Sequence, residues 1–388
     1  MENIFNHKFI IFGTYSANTL GQIRSLGEAG IRPIAVLVYR NSFRIDKSKY
    51  LAKIYNVDSI EEGIDLIQRE FGFEEKKPFL YTDRDDIVGL LDKRYGELID
   101  KFYFWNSGGK GHLSKYLNKE EQIKLAKECG FDVPETEVVK VGELPTRLSY
   151  PIFTKAVDSL DKWWKGRSFI CQNESELLIA YQKMKGVERI MLQQFIDKQN
   201  EVPYEGLSVN GGDEIKVLVK SVNYRFTKDS YGIYRHLEIF HDDELEEKMR
   251  RFIRSVQYSG VFEIEQIVDK KGRAYFLEAN FRVTQYNFAY AKFGVNFPYI
   301  YAMSVLQNKL YLEGVKFSEK RPFNVMSEFE DFRISCIHGD ISFVKWIKDV
   351  MQTDCFQYFD KHDKIPFFFT LLSKLVYSFR KMKKCINK

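Results

Sequence analysis

Hydrophobic and polar positions fall into short blocks with two different periods. Residues 8–13 (KFIIFG) are an apolar run of strand length, and 33–38 (PIAVLV) are another. Between them, 17–29 (ANTLGQIRSLGEA) place Leu20, Ile23, Leu26 and Gly27 at helical spacing. A strand, a helix and a strand within about 30 residues make a βαβ unit, which predicts a parallel sheet. The rhythm continues through a helical pattern at 60–71, a strand at 78–81 (PFLY), a helix at 85–99 and a strand at 102–105 (FYFW). The first turn, Gly13–Gly21, lacks GxGxxG and no acidic residue closes the second strand, so its small residues predict tight packing rather than dinucleotide binding. The glycine-rich Ser107–His112 (SGGKGH) is not completed by a GK[ST] pattern and reads as the hinge out of an α/β domain spanning 1–115.

From residue 118 the texture changes. Residues 119–129 are an amphipathic helix with Asn118 as N-cap, ended by Gly130. Val133-Pro134-Glu135-Thr136 leads into a new strand, and strand signals then dominate at 151–157, 168–171, 189–196, 215–226, 233–240 and 261–268. Helices interrupt at 174–185 and 243–257, and a further helix is expected at 289–309. This is α+β texture of antiparallel character, divided here into subdomains 116–190 and 191–312, with a C-terminal extension at 313–388 that carries its own helix signals.

Composition narrows the class. The chain has 388 residues, 44% hydrophobic and 15% aromatic, including 33 Phe and 23 Tyr, which is ample core material for a globular protein. A net charge of +5 is too diffuse to argue for nucleic acid. Five cysteines stand singly, without a CxxC pair, which excludes a zinc knuckle pattern and a disulfide framework and fits a reducing cytoplasm. The start, MENIFNHKFIIFG, does not read as a signal peptide, and no run of 18 apolar residues predicts a membrane span. The end, 365–388 (IPFFFTLLSKLVYSFRKMKKCINK), is apolar and then basic. It reads either as an interfacial helix holding the protein at the inner face of an anionic membrane or as a packed terminal helix with a cationic end.

The chemistry concentrates in Gly260–Arg282, GVFEIEQIVDKKGRAYFLEANFR. Two strand-like runs flank Asp269-Lys270-Lys271-Gly272, a turn sequence, so a β-hairpin is expected. Period-2 alternation puts Val261, Glu263, Glu265 and Ile267 on one face of the first strand, and Phe276, Glu278 and Asn280 on one face of the second. The loop length brings Glu265 opposite Glu278 or within one register step. Like charges opposed on a sheet repel, and a divalent cation removes the repulsion. Mg²⁺ takes hard oxygen ligands, usually one or two carboxylates with substrate phosphates and water, so the pattern points to a metal–nucleotide site. Solvated glutamates on an edge hairpin are the bland alternative.

The hairpin resembles the metal-binding hairpin of the ATP-grasp superfamily, an acid or amide on one strand followed by E-x-N-x-R on the next: Glu265, then Glu278-Ala279-Asn280-Phe281-Arg282. Other marks stand in the matching order. Asn118-Lys119 looks like the family's first ATP lysine, and Tyr150–Lys155 (YPIFTK) like the strand carrying its second. Met191–Ile196 (MLQQFI) resembles the strand that holds adenine, with Glu201 a candidate for the ribose hydroxyls. The resemblance covers about 1–310 and is closest to the carboxylate–amine ligases of the D-aspartate ligase-like branch, including members from cell-envelope and polysaccharide biosynthesis. Ser48-Lys49-Tyr50 and Thr82-Asp83-Arg84-Asp85 also look like that branch. Phe281 replaces the family's usual proline, and Gln193-Gln194 stand where many relatives have a glutamate. The phosphate-covering loop, often glycine-rich, is Ser159–Arg167 (SLDKWWKGR) here.

The resemblance implies a Rossmann-like pre-ATP-grasp α/β domain, α+β ATP-grasp subdomains and a helical C-terminal extension. It implies an ATP- and Mg²⁺-dependent ligase (Mn²⁺ being the alternative ion) that joins a carboxylate to an amine through an acyl phosphate. Metal would be held by Glu265, Glu278 and Asn280. ATP would be held by Lys119, Lys155, Gln193, Gln194, Ile196 and Glu201, with Arg282 and Lys155 acting in catalysis. Lys162, Lys165 and Arg167 could reach phosphates from the covering loop. Substrate contacts are expected from the N-terminal domain and from Thr284, Gln285 and Tyr286. Small-molecule carboxylates and amines are the expected partners, a lipid-linked or polymeric envelope precursor among them, with no nucleic acid and a homodimer left open. Another acceptor, such as bicarbonate or a peptide, and a non-catalytic ATP sensor are the competing readings.

Overall fold

The computed structural model describes residues 3–41, 43–158, 168–184, 186–225, 233–337, 339 and 341–374. The loop 159–167 and the tail beyond 374 lie outside the described residues, and with them the expectations placed on Lys162, Lys165 and Arg167.

The first apolar run forms β1 (Phe9–Thr14), followed by α1 (Ala17–Glu28), β2 (Ile34–Val38), β3 (Lys53–Val57), α2 (Ile60–Phe71), β4 (Phe79–Tyr81), α3 (Asp85–Lys93), α4 (Tyr95–Leu98) and β5 (Tyr103–Phe104). The five strands pair in parallel in the order β3-β2-β1-β4-β5. Both faces of β1 are buried because helices cover each. Ile10 and Phe12 pack with Ile64, Ile67 and Ile87, while Phe9 and Ile11 belong to the cluster containing Leu20, Ile23 and Leu26. In the first turn Gly13 is there for packing, as expected: a Cβ would lie 2.6 Å from the Thr19 hydroxyl and 2.8 Å from Asp83 Oδ1. Gly27 likewise admits the Tyr50 ring, 2.2 Å from where a Cβ would stand. The helix expected at 85–99 is two helices, broken at Arg94. β3 was not expected, because its Lys53 and Asn56 are exposed on an edge strand and dilute the apolar signal.

After α5 (His112–Lys115), α6 (Lys119–Glu128) begins where Asn118 predicts. Its side chain accepts from the Glu120 and Glu121 amides at 2.9 and 3.3 Å. A four-stranded antiparallel sheet follows, built from β6 (Thr136–Lys140), β7 (Ile152–Ala156), β8 (Ile170–Cys171) and β9 (Arg189–Gln194) in the order β6-β9-β7-β8. One face packs on α7 (Glu174–Gln182) through Ile152, Leu177, Ile190 and Leu192. On the opposite face, Met191 meets Ile123 of α6 and Val157.

The larger sheet contains β10 (Lys198–Val209), β11 (Glu214–Arg225), β12 (Tyr234–Ile239), β13 (Gly260–Asp269) and β14 (Ala274–Asn280), backed by α8 (Asp243–Val256). β13 and β14 form the expected hairpin. The helix expected at 289–309 is two, α9 (Asn287–Phe293) and α10 (Phe297–Gln307). Gly294 at φ +117° ends the first, and the Asn296 side chain caps the second.

The C-terminal extension is not only helical. Besides α11 (Glu328–Asp331), the π-helical turn Phe332–Ile337 and α12 (Phe343–Met351), it supplies β15 (Phe323–Met326) and β16 (Cys355–Phe356). The sheet therefore has seven strands, in the order β14-β13-β10-β11-β12-β15-β16. The extension then returns to the N-terminal domain. Asp363, fully buried, receives Arg24 Nε at 3.0 Å, Ser48 Oγ at 2.8 Å and the Lys49 amide at 3.0 Å. Residues 365–374 are helical. Among the described residues, no helix is long and apolar enough to cross a membrane.

Candidate active site

The hairpin register places Glu265 directly opposite Glu278 and Glu263 opposite Asn280. One face assignment made from alternation fails. The register shifts between Glu265 and Gln266, so that Gln266 pairs with Phe276 and Leu277 is the extra residue of a bulge. The bulge turns Phe276 to the other face, where it packs against Phe131 and Phe252 with ring centroids 5.5 and 5.4 Å apart. Glu278 and Asn280 are left alone on the site face.

β10 extends that face. Glu205 pairs with Glu263 and Pro203 with Glu265, so the rows Glu205–Glu263–Asn280 and Pro203–Glu265–Glu278 run across three strands. Asn280 Nδ2 donates to Glu263 Oε1 at 3.2 Å and to Glu265 Oε1 at 3.3 Å. Thr284 Oγ lies 3.3 Å from both Glu205 oxygens and 3.1 Å from Glu263 Oε2. A hydroxyl carries one proton, so two buried carboxylates facing it need another between them. Burial pushes the Glu205 carboxyl up to about 8. Burial and then the Glu205 charge raise Glu263 as well. Glu265 rises through burial and the charges of Glu263 and Glu278.

Cations close in from the other elements. Lys119, at the first turn of α6, reaches Glu278 Oε2 at 2.6 Å and holds its carboxyl down at about 2, chiefly by Coulomb attraction. The α6 start is tied to the end of β7 by the Lys119 amide donating to Val157 O at 2.8 Å. Lys155 is thereby brought beside Lys119. Burial and then the Lys119 charge pull its ammonium down to about 8, opposed by Glu278, Glu265 and Glu201. Arg282 grips Asp85 of α3 with both arms, at 2.7 and 3.1 Å, and donates to Asn280 Oδ1 at 3.3 Å. Arg235 of β12 is buried over the Tyr286 ring, 4.7 Å from its centroid, within the field of Glu263 and Glu265.

The structure thus gathers Lys119, Lys155, Glu265, Glu278, Asn280 and Arg282 at one place. Gln193 pairs with Phe153 and shares the face of Lys155, and its side chain donates to Thr136 Oγ at 3.2 Å. Gln194 points to the other face, where its Oε1 accepts the Glu135 amide at 3.3 Å. Ile196 lies half-buried past the last ladder pair of β9. Glu201, on β10, pairs with Lys198 at 2.9 Å. Glu205 and Arg235 were not anticipated, and Glu263 was placed on the correct face without a role. Among the described residues no group of three or more His, Cys, Asp or Glu forms a ready metal cluster. The expected donor set is two carboxylates and an amide. It fits a hard cation, because Glu265 and Glu278 are forced together at one register position, where burial and the charges of Glu263 and Glu278 raise the Glu265 carboxyl and a cation would relieve the repulsion.

Beside this cluster opens a cavity of about 430 Å³, lined by Ser16, Phe43, Gln285, Arg333, Gln357 and Tyr358 among others. Ser16 links it to the site, since its hydroxyl donates to Asp83 at 3.0 Å and Asp83 lies in the field of Arg282.

A small antiparallel sheet with α6 beside it and a larger sheet, setting Lys155 of the one and Lys119 of the helix against a carboxylate hairpin of the other behind a parallel α/β domain, constitute the ATP-grasp fold. Solved structures agree. The chain is similar to an L-amino acid ligase from Bacillus licheniformis, with TM-score 0.59 and 17% identity over 82% of this chain and 78% of that one. It is similar to N5-carboxyaminoimidazole synthetase from Staphylococcus aureus, with TM-score 0.58 and 13% identity over 80% and 78%. It also resembles biotin carboxylase from Campylobacter jejuni, with TM-score 0.61 and 15% identity over 80% and 73%. At these identities the likeness is one of fold. No family model and no curated protein matches the sequence.

Proposed function

We propose that the protein is an ATP- and Mg²⁺-dependent acid–amine ligase that forms an amide through an acyl phosphate and releases ADP and phosphate. The observation that carries this reading is the convergence of Lys119 and Lys155 on the Glu265–Glu278–Asn280 hairpin. The L-amino acid ligase and the carboxyaminoimidazole synthetase among its structural neighbours are named for chemistry of this kind.

In this reading the ATP phosphates enter between the lysines and the hairpin. Lys119 and Lys155 neutralise phosphate oxygens as point charges. Lys119, when drawn to phosphate, releases the Glu278 carboxylate it now holds at 2.6 Å. Glu265, Glu278 and Asn280 would hold Mg²⁺, which supplies charge neutralisation for the β- and γ-phosphates when bound. The Arg282 guanidinium, fixed by Asp85 and aimed past Asn280, stabilises charge on the phosphoryl group as it moves to the substrate carboxylate. Gln193 and Ile196 would face the adenine, and Glu201 the ribose. The Gln194 side chain is turned away, so its contribution would be through the backbone. The amine would then attack the acyl phosphate, releasing phosphate, with the cavity lined by Gln285 as the place for the substrates. An acyl phosphate has to be kept from water until then.

We place the reaction in the cytoplasm, at the inner face of a membrane reached through the basic tail, on a carboxylate or amine from an envelope or surface-polysaccharide precursor. The apolar-then-basic segment 365–388 supports the location. The test is ADP release across a panel of amino acids, uronic acids and envelope precursors. Turnover with one pair and amide in the product supports the reading, whereas ATP binding without turnover on any pair favours a nucleotide sensor.

A further inference from the structure

Surface helices normally bury their apolar stripe and expose their charges. In α12 the arrangement is inverted. Asp349 is buried and bonded to Arg225 at 2.7 Å, and the Trp346 indole donates to Asp331 Oδ2 at 2.9 Å. Those two polar anchors, three residues apart, fix how the helix is rolled on the protein. With a rotation of about 100° per residue, the outward face then carries Phe343, Ile347, Met351 and Val344 in one continuous stripe. Their exposures are 60, 38, 81 and 65%, so the stripe is open along its whole length. Lys348 borders it, and Lys345 lies further round the helix.

A second stripe of the same kind follows in the chain. In the helical residues 365–374, Ile365, Phe368, Phe369 and Leu372 stand at i, i+3, i+4 and i+7 and are 43 to 57% exposed. The two helices pack on neighbouring turns, α11 and the π-helical turn that follows it. Phe332 meets Phe343 and Trp346, and Phe329, one turn earlier, stacks on Phe367 with centroids 5.3 Å apart. Residues 364–388 contain seven Lys or Arg and no Asp or Glu.

We propose that α12 and the helix at 365–374 form a surface that docks on an anionic lipid bilayer, lying in its interface rather than crossing it. Charge selects the occupant. An anionic bilayer accepts the apolar stripes and attracts the basic residues that follow in the sequence, whereas a second copy of the chain would bring two strongly basic segments together. The inference is independent of the ligase reading and extends the membrane contact from the tail to a helix on the body of the protein.

The test is co-sedimentation of the full chain with vesicles of phosphatidylcholine containing phosphatidylglycerol, against phosphatidylcholine alone. The chain should pellet with the anionic vesicles, and Phe343→Ser/Ile347→Ser/Met351→Ser should weaken that binding by about tenfold or more. Met351 is 81% exposed, so Met351→Ser alone should weaken binding without changing the melting temperature, which separates lipid contact from loss of the Phe343 packing on Phe332 and Trp346. Val344→Trp should strengthen binding, because indole favours the interface. Equal pelleting of wild type and triple variant, or no pelleting with either vesicle, overturns the proposal. So does a dimer in light scattering that the triple variant dissolves, which would assign the surface to a second copy.

Discussion

The side-chain amide of Gln122 closes both backbone groups of Ala279: its Nε2 donates to Ala279 O at 2.9 Å, and its Oε1 accepts the Ala279 amide at 2.9 Å. β14 is the edge of the seven-stranded sheet, so these outer backbone groups have no strand to pair with. Gln122 satisfies them from α6, one turn after Lys119, and so sets the distance between Lys119 and Glu278.

Gln122→Leu should therefore destabilise the fold by about 1–3 kcal/mol, since it leaves two buried backbone groups without partners. It should also weaken MgATP binding, because Lys119 is no longer held over the hairpin. Denaturant unfolding and nucleotide titration check the two effects separately. Unchanged ATP affinity in a destabilised variant would show that the clamp does not position the lysine.

Arg282→Lys keeps the charge and loses the two-armed grip on Asp85. Hydroxamate formation should fall by about 10²-fold in kcat/KM, the loss expected for one donor to developing charge. Asp85→Asn should cost less, since the guanidinium remains. Equal activity of Arg282→Lys and wild type would remove Arg282 from the chemistry.

The Glu205 carboxyl is raised to about 8, with burial as the main cause. Its unfolded-state value is near 4.5, so between about pH 4.5 and pH 8 the folded chain holds a proton that the unfolded chain has lost. Stability of the metal-free protein should fall as pH rises through that window and level off above it. Glu205→Gln mimics the protonated form and should flatten the profile, raising stability at pH 8 by on the order of 2–4 kcal/mol. Thermal melts from pH 5 to pH 9 read this directly. Identical slopes for both proteins would contradict the shared-proton account of Glu205, Glu263 and Thr284.

Much of this site is legible in the chain. The Asp269–Gly272 turn and the count of residues on either side bring Glu265 within one register step of Glu278. Regular pairing from the turn would set Glu265 against Leu277, and the bulge supplies the last step. Asn118 announces the helix that delivers Lys119. The bulge at Leu277 carries no marker residue, so alternation misplaced Phe276. β10 was not anticipated, because Pro203 and Gly206 interrupt it and its first residues are polar. Gly206 is required there, since a Cβ would lie 2.6 Å from the Phe262 ring and 2.7 Å from Lys216 O. Without β10, Glu205 had no strand to stand on. Arg235 lay on an expected strand, but its neighbours are set by long-range pairing that local pattern does not contain.

Arg24 and Asp363 join the two ends of the chain with no exposure to water. Asp363→Ala should cost about 3–5 kcal/mol, because it strands a buried guanidinium. It should also release the last helix to proteases before the rest of the chain. Simultaneous cleavage throughout would show that the extension is held by other contacts.

The central claim is tested most directly by Mg²⁺-dependent formation of a hydroxamate from ATP, a carboxylate and hydroxylamine, which traps an acyl phosphate whatever the natural amine. The account predicts hydroxamate and ADP in equal amounts with one class of carboxylate, both lost in Glu278→Ala. ADP release without hydroxamate on every carboxylate that stimulates turnover, or hydroxamate formation that survives Glu278→Ala, would contradict it.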